Sequence, residues 1–127
     1  MIKGDTIPAE ETLLRRVFAK DKRYIDPSTG KPTSRAFSPR PKDEQKLSVD
    51  VKSLSTYAIS IQDSSKFSLY SIEASLVLKL GLQCIYDPII DPIGISNMAH
   101  SLVIGIPEED ESISGILARN STYQAAY

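Results

Sequence analysis

His100 is the only histidine in the 127 residues. Imidazole as a group changes charge near neutral pH, so a histidine is the side chain best suited to move a proton or to contact a phosphate. It lies in M-A-H-S-L-V-I-G-I, residues 98–106, the strongest strand candidate in the chain. No partner stands near it in sequence, so any Ser or Asp that orients the ring must come from another element. K-L-S-V-D-V alternates through Leu47, Val49 and Val51 and sends Ser48 and Asp50 to the opposite, polar face of a short strand. Ser48 or Asp50 is therefore the expected partner of His100. Arg15 and Arg16 are adjacent, so on a strand they point to opposite faces. Arg16 is the expected anion clamp, because a guanidinium binds phosphate or carboxylate bidentately. A plainer account also fits. His100 packs at the polar face of its strand, and one arginine is exposed while the other lays its stem along apolar surface.

A second group is spread over a basic segment. Residues 15–46 hold ten Lys/Arg against four Asp/Glu, although the whole chain has net charge −1. Clustered cations raise a local positive potential. Arg15, Arg23, Lys31, Arg35 and Arg40 are expected to meet an acidic protein surface or a phosphate-bearing ligand, nucleic acid included. Ser34 and Phe37, in T-S-R-A-F-S, supply a hydroxyl and the one strong apolar anchor of the segment. The plainer reading is a solvated basic loop held by Ser/Thr hydrogen bonds to its own backbone.

Several functions are excluded or left without support. No phosphate loop, G-x-G-x-x-G or H-E-x-x-H occurs, and nothing implies a cofactor. One histidine and one cysteine cannot build a His- or Cys-based metal site, and D-P-I-I-D-P lacks the spacing of a calcium loop. Cys84 is expected to be a small core residue. No apolar run reaches membrane-spanning length and the first residues lack a secretory apolar stretch, so a cytoplasmic protein, away from membranes, is expected.

The elements that must position these groups follow from periodicity. One domain over 1–127 is expected, with 41% apolar residues to form its core. Pro8–Glu11 reads as a turn and 12–18 as a strand, with helix as its rival. Residues 19–46 are rich in proline and form a long loop; D-P-S-T-G-K-P within it reads as a turn. Residues 47–51, 67–71, 82–86 and 98–106 read as strands. T-Y-A-I-S-I-Q alternates as a strand, against a helix begun by Ser53 or Ser55. The helix expected to be clearest runs over 72–80, capped by Ser71 and ended by Gly81. A weak final helix follows the acidic run E-E-D-E, and the tail is polar and aromatic. The fold class is α+β, with a mixed, largely antiparallel sheet of about five strands, one well-formed helix and a short C-terminal helix.

The order L-L-R-R-V, P-T-S-R-A-F, L-S-V-D, L-G-L-Q-C-I-Y-D-P and an A-H-S strand resembles a group of small bacterial proteins without an established activity. The resemblance covers roughly residues 12–106 and implies that Arg16, Ser34, Phe37, Ser48, Asp50 and His100 belong together. The layout of an early-strand Arg, a later Ser and a late acid also resembles ADP-ribosyltransferase-like folds. Glu108 and Glu109 match a catalytic glutamate poorly, and no glycine-rich feature accompanies them.

Two functions are expected from these residues. The first is a binding or interaction protein that uses its basic loop. The second is a small enzyme or nucleotide-binding domain with Arg16, Asp50 and His100 in one cleft and Ser48 or Asp50 orienting the histidine.

Overall fold

The computed structural model describes residues 1–40, 44–94, 96–108 and 110–127. Its centre is a six-stranded sheet: β1 (Thr12–Phe18), β2 (Lys46–Val51), β3 (Phe67–Glu73), β4 (Gln83–Tyr86), β5 (His100–Ile104) and β6 (Thr122–Gln124). The spatial order is β4-β5-β2-β1-β3-β6, and every pairing is antiparallel. The α+β class therefore holds, with six strands where about five are expected. The additional strand is the tail segment T-Y-Q, which pairs with β3 through Tyr70↔Tyr123.

Alternation along the strands separates the two faces. Leu13, Val17, Leu47, Val49, Val51, Ile72, Cys84 and Val103 lie on one face with Phe37 in the main core. Helices α2 (Ala74–Lys79) and α3 (Ser112–Arg119) add Val77 and Leu117 to that core. On the other face, Leu14, Leu69 and Ile61 form a smaller apolar cluster with Tyr57 and Phe67. Ile61 belongs to the short helix α1 (Tyr57–Ile61), which covers only part of that face. Polar side chains, Ser48, Asp50 and His100 among them, share the rest of it with Ile85, Leu102 and Ile104.

Three local expectations are corrected. Residues 57–61 are helix rather than strand, and the cap is Thr56, whose Oγ1 accepts from the Ile59 amide at 3.3 Å, not Ser53 or Ser55. The helix expected over 72–80 begins only at Ala74, because β3 runs on through Glu73. All seven residues of β1 pair with β3, from Thr12↔Glu73 to Phe18↔Phe67, and this ladder outweighs a helix cap at Ser71. Consequently the eight-residue C-terminal helix α3 is the longest and α2 has six residues. Gly81 does end α2. At φ +81° it lets the Leu82 amide donate to the Val77 carbonyl and its own amide to that of Leu78.

The long segment after β1 is ordered where it is described. The Asp26–Lys31 turn is closed by an Ile25↔Pro32 bridge, and Ser34–Phe37 forms a single turn of 3-10 helix. Phe37 is wholly buried, so its ring ties the segment to the main core. Residues 41–43 of that segment lie outside the described residues, as does Glu109.

Candidate functional site

The site begins where two central strands part. β1 and β2 pair only through Leu13↔Val51 and Leu14↔Asp50, although both strands run on. Beyond that point Arg15 bridges the gap. Its Nη1 donates to the Ser48 carbonyl at 3.0 Å and its Nε to the Ala36 carbonyl at 3.0 Å. Carbonyls that would otherwise lack a strand partner are thereby satisfied by a charged donor, which is stronger than a neutral one.

A groove of about 840 Å³ follows the parting. β1 lines it with Arg15, Arg16, Val17 and Phe18, and β2 with Lys46, Leu47 and Ser48. The intervening segment contributes Tyr24, Arg35, Ala36 and Arg40 among others. Among the described residues, five cations thus come into one lining from separated stretches of chain, with Glu108 and Glu111 as its acids. Arg35 is exposed, and Lys46 stands 3.5 Å from Glu44. Arg16 reaches across the other face, where its Nη1 donates to the Ser60 carbonyl at 2.9 Å and its guanidinium lies 5.4 Å from the Phe67 ring centroid. Burial pulls its pKa down and the charge of Asp50 opposes that pull, which holds the cation in place.

Two polar networks lie beside the groove on the same sheet face. Register places Asp50 opposite His100, yet their side chains join different networks. Asp50, only 6% exposed, accepts from the Ser60 hydroxyl at 2.8 Å and from Asn97 Nδ2 at 2.9 Å. Ser60 also meets Ser55 at 2.6 Å. This cluster is closed: the groups that would orient a substrate are spent on each other.

His100 meets Ser48, with Nε2 3.1 Å from the Ser48 hydroxyl. Its Nδ1 lies 2.7 Å from the Asp87 carbonyl and 3.3 Å from an Asp87 carboxylate oxygen. A carbonyl only accepts, so Nδ1 carries the proton in the neutral ring, and Nε2 is left as an acceptor for the Ser48 hydroxyl. Asp87 also donates its amide to the His100 carbonyl at 3.0 Å, which fixes the pair from both sides. Ser48 is exposed, whereas the His100 side chain is 14% exposed.

Of the residues expected at the site, Arg15, Arg16, Arg35, Arg40 and Ser48 share the groove lining, and His100 touches it through Ser48. The others go elsewhere. Arg23 pairs with Asp21 at 2.7 Å, which lowers the Asp21 pKa to about 2. Lys31 lines a separate cavity of about 400 Å³ with Tyr70, Arg119 and Tyr123. The Ser34 hydroxyl donates to Glu111 at 3.1 Å and so ties the loop to the start of α3. Phe37 is an anchor beneath the groove, not a contact surface. Cys84 is buried, and loss of solvation pushes its thiol up to about 12. No group of three His, Cys, Asp or Glu among the described residues is arranged to hold a metal ion.

Asp87 is the member sequence reasoning missed. The β4–β5 pairing Tyr86↔Ser101, continued by one residue, sets Asp87 opposite His100. The signal was the first Asp-Pro step, which reads as loop punctuation unless the two strands are paired first. No helix of the described residues is long and apolar enough to cross a membrane. The chain matches no protein-family model, no curated protein and no solved structure.

Proposed function

We propose that the chain is a binding protein whose groove between β1 and β2 takes an extended anionic partner, best fitted by an acidic polypeptide segment. One observation supports this most: Arg15, Arg16, Arg35, Arg40 and Lys46, drawn from three separate stretches, line one open groove. These cations share a groove of about 840 Å³, a size that suits a chain of carboxylates better than one small anion. Phe18 and Tyr24 add aromatic surface on which the stem of a side chain or a ring can rest. A phosphate-bearing ligand would use the same cations, so it forms the second arm of the test.

The test compares wild type with the Arg35→Ala/Arg40→Ala variant against an oligoglutamate peptide and inorganic polyphosphate, at low and moderate salt. Both arginines are exposed, so the fold should keep its stability to within about 0.5 kcal/mol. Affinity for oligoglutamate should fall about tenfold at low salt, equivalent to about 1.4 kcal/mol. The difference should shrink as salt screens the charges. Equal binding by both proteins at every salt concentration would remove the groove from consideration. Stronger binding of polyphosphate than of the peptide would move the partner to the phosphate class.

A further inference from the structure

We infer that Ser48 is a nucleophile, activated by His100, which Asp87 in turn positions, and that the chain hydrolyses carboxylic esters bearing an anionic group. The arrangement has each part in order. The Ser48 hydroxyl is exposed and lies 3.1 Å from His100 Nε2, within reach for proton transfer. The Asp87 carbonyl at 2.7 Å fixes the tautomer that leaves Nε2 basic. The Asp87 carboxylate at 3.3 Å favours the ring once it is protonated. A half-buried His–Asp pair serving packing alone would not need its serine partner in the lining of an 840 Å³ groove.

The chemistry balances with water as the only co-reactant. Ser48 Oγ attacks the ester carbon while Nε2 takes its proton, and the carbonyl oxygen becomes an oxyanion. The cations of the same groove lining, Arg16 among them, favour that charge. The C–O bond to the leaving alcohol then breaks, and the proton passes from Nε2 to the alkoxide. Water, deprotonated by Nε2, attacks the acyl-serine; the acyl–Oγ bond breaks, the proton on Nε2 passes to Ser48 Oγ, and the acid is released with Ser48 and His100 restored. Ester and water become acid and alcohol, with no change of oxidation state. The preference for an anionic substrate rests on the groove reading above; the nucleophile does not.

The test is labelling by a fluorophosphonate probe, read by peptide mass spectrometry, together with hydrolysis of nitrophenyl acetate and mono-nitrophenyl succinate. Wild type should carry the adduct on Ser48, and Ser48→Ala should carry none. His100→Ala should slow labelling at least about 100-fold. Asp87→Asn should slow it less, and Asp87→Glu should recover most of that loss. A packing role alone would leave the labelling rate of folded Asp87→Asn at the wild-type value. The succinate ester should turn over faster than the acetate. Failure of wild type to form an adduct on Ser48, or equal hydrolysis by wild type and Ser48→Ala, overturns the inference. Oligoglutamate binding without an adduct sinks this inference alone; an adduct without anion binding sinks only the groove reading.

Discussion

The two polar networks differ in what surrounds them, although Asp50 and His100 face each other across one strand pair. Around Asp50 every partner is drawn inward: Ser60 is 1% exposed and Asn97 closes the other oxygen. Around His100 the chain ends in the exposed hydroxyl of Ser48 at the groove. A buried carboxylate with its acceptors filled holds α1 and the Asn97 loop against the sheet. A histidine held on one nitrogen and open on the other is set up to exchange a proton. Two acidic or basic groups on one strand face can therefore serve opposite ends, and burial decides which.

The largest expected effect breaks the closed network. Asp50→Ala would leave the Ser60 hydroxyl and Asn97 amide without their acceptor and Arg16 without its nearest counter-charge. The cost should be about 3 kcal/mol. Ser48→Ala, by contrast, removes an exposed hydroxyl and should cost no more than about 0.5 kcal/mol. Urea unfolding of both variants checks the pair. Equal losses would mean that the two networks are both structural.

A smaller effect concerns a pair outside the groove. Hydrogen bonds from Arg23 hold the Asp21 carboxyl at about 2, below the ordinary range near 4. A depressed folded value means the pair contributes stability above about pH 4 and loses it as pH falls toward 2. Carbon-detected titration should place the Asp21 midpoint at about 2 in wild type and return it toward 4 in Arg23→Ala. Binding of oligoglutamate should be unaffected by that substitution, because Arg23 does not line the groove.

The legible parts of the fold were those in which alternation and pairing agree. The strand at 47–51 shows apolar residues at every second position, 67–71 does so through Phe67 and Leu69, and 12–18, where Arg15 and Arg16 interrupt the pattern, was legible only against a rival helix; all three lie in the sheet. T-Y-A-I-S-I-Q alternates just as well and is a helix. There Ile61 joins Leu14 and Leu69 while Ser60 reaches Asp50, and consecutive buried residues require helical turning. β6 was hidden because three exposed or half-exposed residues carry no apolar pattern; only the edge of β3 makes them a strand. At the site, residue type singled out His100 and Ser48, whose side chains the structure brings to 3.1 Å, and Arg16, which reaches the Ser60 carbonyl on the same face. It could not separate Ser48 from Asp50, because strand period assigns both to that face and says nothing of depth. The groove itself is a failure of pairing between β1 and β2, and a strand pattern does not reveal where pairing stops.

The most direct measurement of the groove reading is amide chemical-shift mapping during titration with oligoglutamate at low salt. The account predicts that perturbed amides concentrate in Arg15–Phe18, Ser34–Phe37 and Lys46–Ser48, and that added salt reverses the shifts. Perturbations concentrated around Lys31 and Arg119, or scattered over all surface cations alike, would contradict it.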